Sequence, residues 1–126
     1  MGQYFLIVNT TKKEFLHPHK FGDGLKLMEF GASGGRTMTG LALLLRASTQ
    51  GGGGDFNKDD NGKVLGRWAG DSVVIIGDYN EGDVFGNLYA KAQDNYTDIS
   101  AEVVTLMKED SYLRESLEDN PFERKE

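Results

Sequence analysis

The feature that most constrains this chain is the run of β-branched apolar residues at 73–76, VVII, inside the stretch from Gly66 to Asp83. Successive side chains of a strand point to opposite faces, so all four residues leave water only if both faces of the sheet are covered. We therefore predict a central strand at 72–77. Glycines and charged residues crowd both ends of this run, and such strand ends are typical positions for residues that contact ligands.

The length of the chain favours a single domain over 1–126. It has 126 residues, enough to bury one hydrophobic core. It has no cysteine, which excludes disulfides, a thiolate metal site and a cysteine nucleophile. The apolar run near the N-terminus is too short for a signal peptide or a membrane span. We expect a soluble, cytoplasmic protein without a membrane segment.

The charge of the chain is unevenly distributed. Residues 1–77 carry nine Lys and Arg against seven Asp and Glu, whereas residues 78–126 carry five against thirteen, and the net charge of the chain is −6. Nucleic acid binding needs clustered Lys and Arg, which no stretch provides, so we do not expect nucleic acid as a partner. The acidic half is either a surface for a protein partner or a solvated face.

The hydrophobic pattern predicts an α+β fold, with a mostly antiparallel sheet of about four to five strands and two main helices packed on one face. We expect a mobile Gly/Asp-rich loop at 50–63 and a frayed acidic tail from 120. An N-terminal hairpin ends at Pro18, and a second hairpin pairs 64–68 with 72–77. The predicted strands are 3–10, 14–16, 64–68 and 72–77, and the predicted helical segments are 36–48, 87–93, 100–109 and 112–117. Residues 25–30 fit either a short strand or a helical turn, and we favour the strand.

Two histidines and a carboxylate lie close together in the sequence at His17, His19 and Asp23. Imidazole and carboxylate are ligands that zinc, nickel and iron accept, and residues 17 and 19 share a face if the chain there is extended. These three residues are a candidate site for a divalent metal, with Asp71 or Asp78 as a further ligand. The alternative is that they form only the solvated end of a hairpin.

A glycine-rich segment, from Gly31 to Thr37, precedes the predicted helix at 36–48. Backbone amides at a helix N-terminus can bind a phosphate or another anion. The segment is one residue too short for the P-loop pattern and has Arg36 where that pattern has lysine. It is therefore either a flexible entry to the helix or a site for a small anion.

The stretch around the VVII run supplies five further candidates for ligand or partner contact: Arg67, Trp68, Asp71, Asp78 and Tyr79. An ion pair between Arg67 and Asp71 that clamps the predicted hairpin is an equally good account of those two residues. Trp68 is more easily explained as core or partly exposed packing than as a stacking platform, because one aromatic residue does not make a base-binding surface.

Three segments, MGQYFLIVN, KKEFLHPHKFGDGLKLMEF and GRWAGDSVVIIGDY, together resemble a family of small uncharacterised microbial proteins that share this opening and the later WAGD and GDY elements. The resemblance covers residues 1–30 and 66–79. It implies no activity, and so it assigns no functional residue.

Two classes of function remain open at this stage. The first is a small non-enzymatic binding or regulatory protein that acts through a protein partner. The second is a small metal- or anion-dependent hydrolase that uses His17, His19 and Asp23, with no other cofactor. We favour the first class, because two histidines and no cysteine do not complete a catalytic arrangement.

Overall fold

The computed structural model describes residues 2–48, 50–81 and 84–123. It contains a mixed sheet, helices and two short 3-10 helices at Pro18–Phe21 and Pro121–Glu123. The strands are β1 (Phe5–Asn9), β2 (Glu14–Leu16), β3 (Val73–Gly77) and β4 (Thr97–Asp98). The helices are α1 (Leu27–Gly31), α2 (Thr37–Leu45), α3 (Leu88–Asn95), α4 (Ser100–Met107) and α5 (Ser111–Leu117).

The sheet confirms the predicted α+β class. Its order is β3-β1-β2-β4, with β1 antiparallel to both β2 and β3, and β2 parallel to β4. The predicted N-terminal hairpin is present as β1 and β2. The prediction of a central strand at 72–77 is wrong, because among the residues that the structure describes β3 pairs with β1 alone and lies at the edge of the sheet.

Both faces of the sheet are covered. On one face, residues such as Ile7 and Leu16 pack in a core with α2 and α4, the two main helices that we expected on one face. On the other face, a smaller cluster joins Leu6, Val8 and Ile76 to Leu88 and Ala92 of α3. The alternation of side chains in β1 supplies both clusters, and they share one sheet within one small domain.

The segment at 25–30, which we predicted as a strand, forms the short helix α1 instead. The carboxylate of Glu29 accepts a hydrogen bond from the backbone N–H of Lys26 at 3.0 Å, which stabilises the first turn. Phe30 is fully buried in the core. The apolar residues in this segment are therefore spaced along a helical turn. A pattern of six residues is too short to distinguish such a turn from a strand.

The predicted strand at 64–68 is also absent, and with it the hairpin to 72–77. The chain there forms successive turns and packs on the C-terminal end of α2. The N–H groups of Gly66 and Trp68 donate to the carbonyls of Leu43 and Leu44, both at 2.9 Å. Carbonyls in the last turn of a helix have no partner within the helix, so this contact satisfies two of them.

The predicted C-terminal helices are present as α4 and α5. The N-cap residue of α4 is Ile99, and the carboxylate of Asp98 accepts from the N–H of Ser100 at 2.9 Å. The hydroxyl of Ser100 accepts from the N–H of His17 at 2.7 Å, which joins the end of β2 to the start of α4.

The loop at 50–63 and the tail from 120 were predicted to be mobile, and this stays a prediction. Within the loop, Phe56 is buried in the core. In the tail, the side-chain amide of Asn120 donates to the carbonyl of His19 at 2.8 Å. Thr49 and residues 124–126 lie outside the described residues. In the part of the chain that is described, no helix is long and apolar enough to cross a membrane.

Candidate functional site

The two histidines of the predicted metal site lie close together, with ring centroids 5.0 Å apart. They do not share a face of an extended strand, because Pro18 begins a 3-10 helix directly after His17. Nδ1 of His17 accepts from the N–H of His19 at 3.3 Å and so caps that helix. The ring of His19 stacks on Phe122, with centroids 4.0 Å apart and an angle of 5° between the planes.

Burial lowers the pKa of both histidines. For His17 the positive charge of His19 lowers the pKa further, whereas the negative charge of Asp98 opposes the shift. For His19 the negative charge of Glu29 opposes the effect of burial. Both shifts favour the neutral imidazole, which is the form that binds a metal.

Asp23, the third predicted metal ligand, is bound to the glycine-rich segment instead. One of its carboxylate oxygens accepts from the N–H of Thr37 at 3.2 Å, from the hydroxyl of Thr37 at 2.6 Å, and from the hydroxyl of Ser33 at 2.8 Å. Its other oxygen lies 3.8 Å from the guanidinium of Arg36. Asp23 thus occupies the place where the sequence suggested a small external anion.

Metal binding therefore needs Asp23 to leave a set of hydrogen bonds that it makes already. Within the described ranges, there is no group of three or more His, Asp or Glu side chains arranged to hold a metal ion. Binding of a divalent metal by His17, His19 and Asp23 stays a prediction.

Arg67 and Trp68 meet at Glu14, a partner that the sequence did not suggest. Arg67 binds both carboxylate oxygens of Glu14, with Nε to Oε1 at 3.0 Å and a shorter contact from Nη2 to Oε2. The indole N–H of Trp68 donates to the same Oε1 at 2.8 Å. Trp68 is fully buried, and of the two kinds of packing that we considered for it, core or partly exposed, the structure shows the first. These three residues join β2 to the turns at 64–70.

The hydrogen bond from Arg67 holds the pKa of Glu14 below its usual range, although burial acts in the opposite direction. Glu14 in turn raises the pKa of Arg67, through the same hydrogen bond. The carboxylate of Glu14 already binds the guanidinium of Arg67, which is therefore not an open anion site. The predicted ion pair between Arg67 and Asp71 is therefore wrong, because Arg67 pairs with Glu14 instead.

Asp71 contacts the turn between β1 and β2. Its carboxylate lies 2.6 Å from Nζ of Lys12 and accepts from the side-chain amide of Asn9 at 2.8 Å. The hydrogen bond from Lys12 lowers the pKa of Asp71, with a smaller effect from Asn9. Asp71 thus fastens the start of β3 to the hairpin turn and lies apart from Asp78, which follows the other end of the strand.

A groove of about 640 Å³ lies between α4 and the turns at 59–67. Two cationic side chains, Lys63 and Arg67, line it together with four carboxylates: Asp59, Asp60, Glu102 and Glu109. Asp60 is bound to backbone amides, with an oxygen 2.8 Å from the N–H of Val64. This mixture of charges does not single out one class of ligand.

The outer edge of β3 presents backbone groups in a defined pattern. The N–H of Thr10 donates to the carbonyl of Ser72, and the N–H of Asp78 donates to the carbonyl of Tyr4, both at 2.9 Å. Hydrogen-bonded pairs alternate along an antiparallel ladder, so Val74 also turns its N–H and C=O towards β1. Val73 and Ile75 turn theirs away from the sheet.

These outward groups have no hydrogen-bond partner among residues 2–48, 50–81 and 84–123. The side chain of Ile75 is also exposed, at 37% of its surface. The strand ends at Gly77, whose carbonyl accepts from the N–H of Asn80 at 3.1 Å. The edge is therefore a short, uncharged strand with unused donors and acceptors.

Aromatic side chains gather where β3 ends. The backbone N–H and C=O of Tyr4 both form hydrogen bonds with Asp78. The side chains of Tyr4 and Tyr79 are both exposed. The side-chain amide of Asn80 donates to the carbonyl of Gly86 at 2.7 Å, and Phe85, the residue before Gly86, is also exposed. Exposed aromatic residues are enriched at protein interfaces.

Tyr89 of α3 lies beside the same strand end. Burial raises the pKa of its phenol, and the negative charge of Asp78 raises it further. Tyr89 therefore stays neutral and can donate a hydrogen bond well above neutral pH. The two predicted contact residues that belong to this surface are Asp78 and Tyr79, and their role in binding stays a prediction.

Sequence reasoning missed Tyr4 and Tyr89 as members of this surface. Tyr4 precedes the first strand and Tyr89 lies in a short helix, so neither is near Asp78 in the sequence. The available signal was the number of aromatic residues around the strand ends, which becomes informative only when the pairing of β1 with β3 is known.

Comparisons with known protein families, with curated proteins and with solved structures found no match to this chain.

Proposed function

We propose that this protein is a non-enzymatic binding protein that takes up an extended segment of a partner protein along β3. The observation that carries the proposal is the pair of outward-facing backbone positions at Val73 and Ile75. A peptide that adds a strand to a sheet edge gains main-chain hydrogen bonds from such positions.

The opposite edge of the sheet is less suited to this role. There β4 has only two residues, Thr97 and Asp98, and α4 begins at Ser100. A strand added at that edge would have little backbone to pair with. We therefore assign the binding role to β3 alone.

The composition of β3 also supports the proposal. Proteins usually protect an edge strand with lysine, proline or a bulge. The sequence from Val73 to Gly77 contains no charged residue and no proline. The edge is suited to pairing with another strand, and its five-residue length limits non-specific association.

The experiment is a selection from a random peptide library displayed on phage, with the purified protein as target. We expect the selected peptides to bind the wild type, and to shift the NMR amide resonances of Val73 and Ile75. Ile75→Pro removes an outward N–H and should weaken binding at least about tenfold, the cost of roughly one lost hydrogen bond plus a steric clash. Ile75→Thr retains the N–H and the branched shape, and serves as the matched control.

Two results would contradict the proposal. One is that the selected peptides bind Ile75→Pro as well as they bind the wild type, or shift amides elsewhere. The other is concentration-dependent dimerisation of the wild type that Ile75→Pro abolishes, seen by analytical ultracentrifugation. That result would assign the edge to a second copy of this chain instead of a separate partner.

The hydrolase hypothesis has less support, because Asp23 is held by Thr37 and Ser33. Its test is the metal content of the purified, untagged protein and of the His17→Ala, His19→Ala double variant. Near-stoichiometric zinc, nickel or iron that is lost in the double variant would favour the hydrolase. A cytoplasmic location is likewise a prediction that fractionation of cells would test.

A further inference from the structure

The two ends of β3 differ in how their acidic residues are paired. At the start of the strand, Asp71 is neutralised by Lys12, with Nζ 2.6 Å from the carboxylate. Past the other end, Asp78 and Glu81 are both exposed. In the described part of the chain, neither of these two has a basic side chain within ion-pair distance.

The hydrogen bond that Asp78 does make leaves capacity for another. Its Oδ1 accepts from the N–H of Tyr4 at 3.0 Å, and a carboxylate has two oxygens that each accept more than one bond. This bond lies on the β1 side of Asp78, so a partner strand paired with Val73 and Ile75 would reach the carboxylate with a long side chain and not with its backbone. The strand end is therefore acidic and able to accept charged donors.

The aromatic residues at this end favour one kind of cation. Tyr4 is 45% exposed and Tyr79 is 51% exposed. A guanidinium can bind a carboxylate with two donors while its flat face lies on an aromatic ring, whereas an ammonium is a compact charge that stays more strongly hydrated. Arginine fits the surface better than lysine.

We propose that the partner segment carries an arginine at the end that lies beside Asp78 and Glu81. This inference rests on the proposed function, because it takes β3 as the pairing strand. Strand pairing with Val73 and Ile75 supplies the affinity, and the arginine fixes the position of the segment along β3. The backbone pattern of β3 is compatible with either direction of the added strand.

The test uses three synthetic seven-residue peptides of alternating valine and threonine. One has arginine at its N-terminal end, one has arginine at its C-terminal end, and one has glutamine at both ends. An antiparallel partner would place its N-terminal end beside Asp78, and a parallel partner its C-terminal end. The readout is the dissociation constant from NMR titration of the Val73 and Ile75 amides.

We expect one of the two arginine peptides to bind about five- to tenfold more tightly than the glutamine peptide, as for a charge pair at the rim of an interface. The Asp78→Asn, Glu81→Gln double variant should lose this advantage, and so should the wild type in about 0.5 M salt, because salt screens exposed charges. A control variant, Glu115→Gln with Asp119→Asn, makes the same charge change at exposed residues in and just after α5 and should retain the advantage.

The outcomes separate this inference from the proposed function. If all three peptides shift the Val73 and Ile75 amides with equal affinity, the arginine inference is wrong and the proposed function stands. If a fourth peptide, in which lysine replaces the arginine of the tighter-binding peptide, binds equally well, the preference for a guanidinium is wrong. If no peptide shifts these amides and the library selection also fails, the proposed function itself is wrong.

Discussion

At the scale of single residues, buried charges in this protein are used to fasten segments that are distant in the sequence. Glu14 binds Arg67 and Trp68, and Asp23 binds Ser33 and Thr37. A buried carboxylate that loses its partners is costly, so these contacts specify which segments meet. None of the partners follows a local sequence rule, and the Glu14 contacts span more than 50 positions.

Glu14→Gln should lower the free energy of unfolding by about 2 kcal/mol at pH 7, because it removes a charged, doubly bonded partner of Arg67. The folded pKa of Glu14 is lowered, so the stability it contributes is present above its unfolded pKa of about 4.3 and is lost as pH falls through the folded value. Urea unfolding at pH 7 measures the destabilisation by the variant, and urea unfolding below pH 4 measures how much of that difference is lost on acidification. Glu115→Gln, at an exposed position, is the control and should change neither.

His17→Asn should reduce the loss of stability on acidification. Because burial lowers the pKa of His17, the unfolded chain binds this proton more readily, and stability falls as pH drops below about 6.5. Asparagine retains an acceptor for the N–H of His19 but does not titrate. Unfolding measured between pH 7.5 and 5 should show a smaller decrease in the variant. If the free energy of unfolding depended on pH in the same way in the variant and the wild type, His17 would not be the source of the loss of stability on acidification.

At the scale of secondary structure elements, the sequence predicted those whose pattern is long or whose ends carry clear signals. The strands β1, β2 and β3 and the helices α2 and α4 lie within predicted segments, whereas α3 ends two residues after the predicted 87–93 and α5 begins one residue before the predicted 112–117. The errors fall at 25–30 and 64–68, where five or six residues have no periodicity that separates strand, helix and turn. The two-residue strand β4 has no signal of its own, because its pairing with β2 is made only in the folded protein.

The turns at 64–70 depend on one glycine. Gly66 has a φ of +75°, and a Cβ there would lie 2.9 Å from the carbonyl oxygen of Arg46. Gly66→Ala should therefore destabilise the protein by about 2 kcal/mol, from backbone strain and the steric clash together. Gly70 also has a positive φ, +86°, but a Cβ there meets nothing within 4 Å, so Gly70→Ala should cost only about 1 kcal/mol. Equal costs from thermal or urea unfolding would contradict the proposed contact with Arg46.

Proline substitutions along β3 test which backbone groups point inwards. Val74→Pro removes an N–H that pairs with β1 and should cost more than about 2 kcal/mol. Ile75→Pro removes an N–H that faces away from the sheet, which is a position where edge strands tolerate proline, and should cost less. Circular dichroism and urea unfolding of the two variants provide the comparison. If Ile75→Pro destabilised the protein more than Val74→Pro, the N–H of Ile75 and not that of Val74 would be the one that pairs with β1.

At the scale of the whole molecule, covering both faces of the sheet leaves its edges as the accessible backbone. The cores on either face bury Ile7 and Leu6, and β4 ends at once in α4. The prediction of a buried run at 73–76 is wrong, because Ile76 is buried but Val73 and Val74 are half-buried and Ile75 is exposed. The number of strand partners could not be read from the sequence. Because β3 pairs with one strand in the described part of the chain, it lies at the edge of the sheet, where it forms the candidate binding surface.

Amide hydrogen exchange of β3 in the free protein, measured residue by residue by NMR, is the most direct test of this account. We expect the amides of Val73 and Ile75 to exchange much faster than those of Val74 and Ile76, by about a hundredfold or more, because only the latter pair with β1. The measurement needs no partner. Equal, strong protection of all four amides would show that the edge is covered in solution, and it would contradict the assignment of β3 as the binding surface.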